Sequence, residues 1–341
     1  MSQAFQNILI VSHSNIGDVL HNMAVLKPLK NTFPSATITI LTSSIGKTIL
    51  EGNSYITQTL IFDRLGQQKK LKERLKLIWQ LRKKKFDLVI NLKSGSYLSY
   101  FLHPTTIWGI RSQDLTLESK RTTHAIDLYL NVLRHQGISI TPKDLDLKIS
   151  YSSEDEQKIN SLLKNEGYDF QKPIVVMAPF SAWHAKELSP SVLEELVKKL
   201  TTIHQMQVVL IGGKADQTKM EVLKPYKNYF FDLVGKTTLK ELAALYTKTR
   251  LAIGCDSGPF HLATNMGTPA LGIFSATPHF RARPYFTPTQ FISCDVNLGC
   301  NPCIPGPNFM ECKVWNRTTP CMEAIPFNQI YEKIKEILNF K

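Results

Sequence analysis

Along this chain, short unbroken apolar runs alternate with segments whose apolar positions recur every three or four residues. Asn7–Ser12 (NILIVS) is such a run. Val19–Lys30 follows, with Val19, Leu20, Met23, Leu26 and Leu29 at helical spacing. Pro34 ends that helix, and Ala36–Leu41 (ATITIL) is the next strand. Ile61-Phe62, Phe86–Leu92 and Ile107–Ile110 continue the strands, and Ala125–Gly137 reads as a helix that stops at glycine. After a linking helix over Ser152–Gly167, the alternation restarts. Strands are expected at Pro173–Met177, Gln207–Ile211, Phe231–Val234, Arg250–Gly254 and Pro269–Phe274, with helices at Val192–His204, Leu239–Tyr246 and Pro259–Met266. Near-continuous apolar strands are those that helices cover on both faces, so each half predicts a doubly wound α/β domain with a parallel sheet. Asn328–Phe340 is a terminal amphipathic helix with Ile330, Ile334, Ile337 and Leu338 on one face.

The length of 341 residues suits two domains, and the 43% hydrophobic content supplies real cores rather than a disordered chain. No stretch approaches the ~20 apolar residues of a membrane span. Met1–Asn7 is polar and lacks the pattern of a signal peptide, so a cytoplasmic protein is expected. The net charge of +13, from 41 Lys and Arg against 28 Asp and Glu, favours an anionic partner without saying which.

Three loops carry candidate chemistry. The first is Leu251–Ala263, where a buried strand runs into Gly254-Cys255-Asp256-Ser257-Gly258-Pro259-Phe260-His261. Asp256 or Ser257 can cap the next helix, and Pro259 suits its first position. The free N–H groups of a helix start attract phosphate, and ligands of open α/β sheets gather at the carboxyl ends of strands. The bland alternative is an ordinary strand–turn–helix junction. The second loop is Ser12–Asp18, where Asp18 is either a general base or a helix-capping carboxylate. The third is Ala178–Lys186 (APFSAWHAK), where Lys186 can reach a phosphate and Ser181 a base or ribose, unless the lysine is merely solvated.

Four separated segments together resemble glycosyltransferase family 9, the bacterial lipopolysaccharide heptosyltransferases. They are ILIVSHSNIGDVLHNMAVLKPLKNTFPSATITIL, FDLVINLKSGSYLSYF, HAIDLYLNVLRHQGI and GCDSGPFHLATNMGTPALGIFSATP. The resemblance spans essentially the whole chain. It implies a GT-B fold, two doubly wound Rossmann-like domains facing each other across a cleft. Residues 1–165 would form the acceptor domain and 166–325 the nucleotide-sugar domain, with 326–341 a helix packing back on the first. By the same resemblance the reaction is inverting heptose transfer from ADP-heptose to the inner core of lipopolysaccharide, with no metal in the chemistry. Asp18 would be the base and Lys186 would neutralise the leaving diphosphate. Ser181, Asp216, Asp256, Ser257, Gly258, His261 and Thr277 would line the donor site, and Ser14, Asn15, Gly17 and Lys93 the acceptor site. The partners implied are the donor, an anionic glycolipid and the inner face of the cytoplasmic membrane, for a monomer that binds no nucleic acid. Departures at Phe274-Ser275-Ala276-Thr277 and Lys186-Glu187-Leu188-Ser189-Pro190 bear on the donor's sugar and base. The alternatives are another sugar nucleotide or a protein acceptor, a sugar-nucleotide hydrolase or epimerase, and a non-catalytic binding protein.

Two features lie outside that pattern. Lys69–Lys85 carries nine basic residues and one Glu, with Leu71, Leu75, Ile78 and Leu81 near one helical face. Such a helix suits an anionic membrane surface, or is simply a solvated helix beside the sheet. Cys300-x2-Cys303-x8-Cys312-x8-Cys321 supplies enough thiols for a structural zinc or iron site, or is a loop of unpaired thiols.

Overall fold

The computed structural model describes residues 5–63, 68–93, 98–296, 298, 303 and 319–340. The chain divides into two compact units, Met1–Ser150 and Tyr151–Lys341.

The first unit holds strands β1 (Asn7–Val11), β2 (Thr37–Thr42), β3 (Gln58–Ile61), β4 (Leu88–Asn91) and β5 (Thr106–Gly109). All its pairings are parallel, in the order β3-β2-β1-β4-β5. The order reverses between β1 and β4, so the loops after these two strands leave the sheet at its switch point. Four of the five β1 residues are buried, as an apolar strand with helices on both faces requires. The helix expected over Val19–Lys30 is instead a chain of three pieces: Ile16–Asn22, a 3₁₀ turn at Met23–Val25, and Leu26–Thr32. Pro28 is the cause. Its ring displaces the carbonyl four residues back, at Ala24, and it has no N–H to return, so the preceding turn tightens.

The second unit holds β6 (Ile174–Ala178), β7 (Gln207–Leu210), β8 (Phe231–Asp232), β9 (Leu251–Cys255), β10 (Ala270–Phe274) and β11 (Phe291–Ser293). This sheet is also parallel, in the order β11-β10-β9-β6-β7-β8, with its switch between β6 and β9. Every residue of β6, β9 and β10 is buried. β9 and β6 come so close that a Cβ on Gly254 would meet the Ala178 carbonyl at 2.9 Å.

Two expectations about domain limits differ from the structure. The Ser153–Asn165 helix, assigned from sequence to the first domain, packs on the Leu239–Tyr246 helix of the second unit. The terminal helix, Phe327–Leu338, buries Ile330, Ile334 and Leu338 in the second unit's own core with Val175, Leu200 and Ile292, where packing on the first domain had been expected. The reason is β11, an edge strand too short to show a periodicity. It leaves sheet surface to cover, and the helix lies against it. His204 fastens the helix by a 2.7 Å bond with the Tyr331 hydroxyl and a stacked contact with Phe340.

Candidate functional site

Three adjacent parallel strands converge on one carboxylate. β9 ends in Cys255 and delivers Asp256. β6 leads into the loop that carries Lys186, and β10 leads into Thr277. Asp256 Oδ2 accepts from Lys186 Nζ at 2.9 Å and from Thr277 Oγ1 at 2.9 Å. Its Oδ1 lies 2.8 Å from His261 Nε2, one turn into the Gly258–Asn265 helix. The side chains are 13%, 18% and 6% exposed for Asp256, Lys186 and His261, so the ion pair is shielded from bulk water. Burial alone would push the Asp256 carboxyl up. The Lys186 ammonium and the bond from His261 outweigh it and hold the group well below the usual carboxylate range.

The local sequence explains this placement. Ser257 is extended, with φ −146° and ψ 161°, and its carbonyl accepts the His261 N–H. Its side chain makes no capping bond, and Pro259 has no N–H to give. The Gly258 and Phe260 N–H groups therefore face outward from the helix start, where an anion binds well. Ser275, at one of the departures from the family pattern, donates to the Ala185 carbonyl at 2.9 Å and ties the β10 loop to the residue before Lys186. Cys255, beneath the site, is chemically inert, because burial pushes its thiol up to about 12.

A second charged group lies beside the first, after β6 and β7. Lys219 Nζ pairs with Asp216 Oδ1 at 2.7 Å and with Glu187, whose carboxylate also accepts the Ser181 N–H at 3.0 Å. Asp216 Oδ2 accepts the Gly213 N–H at 2.8 Å. Ser181 and Asp216 thus fall at the same strand edge, and both Asp216 oxygens have partners. No role was expected from the sequence for Glu187, Lys219 or Ser275, although Glu187 and Ser275 stand within the two departures from the family pattern.

In the first unit, Ser14, Asn15, Gly17 and Asp18 follow β1, and Lys93 follows the neighbouring strand β4. Ser14 and Asn15 are exposed, while Gly17, Asp18 and Lys93 are half-buried. Asp18 sits in the first turn of the Ile16–Asn22 helix. Among the described residues its carboxylate makes no hydrogen bond or ion pair, so it forms no cap. The loop behind it is anchored. Asn22 Oδ1 accepts from Ser12 Oγ at 2.8 Å and from the His13 N–H, and Thr42 and Ser43 hydroxyls bond the His13 and Ser14 carbonyls.

Of the four thiols considered for a metal, Cys300 and Cys312 lie outside the described residues. Cys303 and Cys321 pack with Trp183, Ala185 and Ala276 under the Lys186 loop, with Cys294 beside them. Among the described residues no three His, Cys, Asp or Glu side chains are placed to hold a metal ion.

The sequence profile of glycosyltransferase family 9 (heptosyltransferase) matches residues 74–313. The lipopolysaccharide core heptosyltransferase OpsX of Haemophilus influenzae is 26% identical over 302 residues, covering 83% of this chain and 83% of that protein. The crystal structure of a family 9 glycosyl transferase from Veillonella parvula superposes with a TM-score of 0.82 at 21% identity, covering 100% of this chain and 99% of that one. The ADP-heptose lipopolysaccharide heptosyltransferase II of Escherichia coli gives 0.73 at 18% identity, covering 98% and 99%. The fold is therefore GT-B, and the chain belongs to glycosyltransferase family 9, the heptosyltransferases of lipopolysaccharide core synthesis.

Proposed function

We propose that this protein transfers heptose from ADP-heptose to the inner core of lipopolysaccharide, with inversion at the anomeric carbon and with no metal in the chemical step. The observation that carries the reading is the shielded Asp256–Lys186–His261–Thr277 network at the switch point of the second sheet. The donor name borne by the Escherichia coli relative and the core acceptor named for the Haemophilus influenzae relative support the choice of substrates.

In this reading the second unit binds the donor and the first binds the acceptor. An acceptor hydroxyl attacks the anomeric carbon of the heptose as the bond to the diphosphate oxygen breaks. Negative charge grows on the departing ADP. Lys186 and the outward N–H groups of Gly258 and Phe260 are fixed where they can stabilise it, which is the role a metal plays elsewhere. Asp256 keeps Lys186 extended and charged in a site of low water content. Asp18 takes the hydroxyl proton, since its carboxylate is unengaged among the described residues. Ser181 and Asp216, at the neighbouring strand edge, meet the nucleoside. Ser14, Asn15, Gly17 and Lys93 meet the acceptor, an anionic glycolipid that draws a cytoplasmic monomer to the inner face of the membrane.

Thermal shift against ADP-, GDP- and UDP-sugars, followed by NMR of the product formed on a deacylated core acceptor, tests this. Stabilisation by ADP-heptose and a product of inverted anomeric configuration are expected. Stabilisation by UDP- or GDP-sugars alone would overturn the donor, and release of free heptose whether or not acceptor is present would make the protein a hydrolase.

A further inference from the structure

The basic segment folds as a helix over Leu71–Lys83, and its apolar residues do not share one face. Leu77 and Leu81 are buried in the first unit's core with Leu9, Val11 and Val89, and Ile78 packs against them. Leu71, Leu75 and Trp79 are 69%, 57% and 58% exposed. Spaced four residues apart, they form a row along the helix that points away from that core. Lys72, Lys76 and Lys83 lie along one side of the row, and Lys83 Nζ sits 3.3 Å above the Trp79 ring. Exposed Tyr100 and Phe101 follow Leu98, which packs on the same core cluster as Leu77, so this aromatic pair is on the same side of the sheet.

We propose that this outer row is the docking surface by which the protein binds an anionic lipid bilayer. Two features of the row select that occupant. Nine basic residues against one Glu over Lys69–Lys85 complement anionic headgroups and repel a second copy of the chain. Two leucines and a tryptophan in line need an apolar medium next to the charges, and the headgroup boundary supplies one while a phosphodiester backbone does not. A helix lying in the interface would sink Leu71, Leu75 and Trp79 about 5–10 Å below the headgroups, with the lysines reaching back to the phosphates. The proposed function brings the protein to the membrane through its glycolipid acceptor; the outer row needs no acceptor, and vesicles that lack glycolipid keep the two tests apart.

The test is co-sedimentation of the full chain with vesicles of phosphatidylcholine, alone or mixed with phosphatidylglycerol, at low and high salt. The unmodified protein is expected to bind the mixed vesicles on the order of tenfold or more tightly than the neutral ones, and less tightly as salt rises. Combined Leu71→Ser, Leu75→Ser and Trp79→Ser should lower affinity for mixed vesicles about tenfold or more, while the melting temperature and ADP-sugar binding stay unchanged. Combined Lys72→Glu and Lys76→Glu should abolish the preference for phosphatidylglycerol. Unchanged vesicle binding by the triple serine variant, no binding by the folded unmodified chain, or displacement from vesicles by RNA would each overturn the proposal.

Discussion

Replacing Asp256 by alanine removes one carboxylate and leaves three donors behind. Lys186 Nζ and Thr277 Oγ1 each lose an acceptor at 2.9 Å, and His261 Nε2 loses a partner at 2.8 Å. The Lys186 ammonium, 18% exposed, then has to stay buried without its counter-ion or swing out to water. Breaking a buried pair from one side costs about 3 kcal/mol or more. For a unit of this size each kcal/mol moves the midpoint by roughly 2–4 °C, so Asp256→Ala should melt roughly 6–12 °C below the unmodified protein at neutral pH. The expected pH dependence follows from the same carboxylate. Its folded value is well below the ~3.9 of an unfolded aspartate. As pH falls, the unfolded chain takes up the proton first, so the stabilisation is complete well above pH ~4 and is lost below it, towards the depressed folded value. Differential scanning calorimetry from neutral pH to about pH 3 measures both effects. Asp256→Asn, which keeps the shape and an acceptor for Thr277, should fall between the two proteins. An alanine variant melting within about 1 °C of the unmodified protein at neutral pH would show that solvent already screens the pair, and the argument for a shielded site would fail.

Lys186→Ala should lower kcat/KM about 10²–10³-fold, since it takes one fixed positive charge from the departing diphosphate, and steady-state assays with ADP-heptose read this. Asp18→Asn should lower kcat about 10²–10⁴-fold and leave calorimetric ADP-heptose binding unchanged; full turnover would refute its role as base. Ile334→Ala opens a cavity at a residue with no exposure, and should cost about 2–5 kcal/mol in urea unfolding of the second unit. A cost under ~1 kcal/mol would mean the terminal helix is not part of that core.

Much of the fold was legible because a parallel sheet buries its strands completely. Runs such as Ile174–Ala178 and Leu251–Cys255 have no polar alternation to confuse, and turn residues punctuate them. β11 was not legible, because three residues carry too little period, and the destination of the terminal helix was lost with it. The Val19–Lys30 pattern was correct in its apolar face but silent about the turn at Met23–Val25, since periodicity does not register the backbone effect of Pro28. At the site, Asp256, His261 and Lys186 could be picked out by residue type and neighbours. Glu187, Lys219 and Ser275 could not, because each acts through a partner on another loop.

The sequence by itself determined which segments become strands and helices, that two α/β units result, and which loops carry charge suited to a nucleotide sugar. Those properties follow from local spacing and residue chemistry. Only the tertiary structure decided that Lys186 and Thr277, from two separate loops, share the Asp256 carboxylate carried by a third. It also decided that half the apolar residues of the basic helix face out. Strand order and side-chain packing set those contacts, and neither is written in the spacing of residues along a single element.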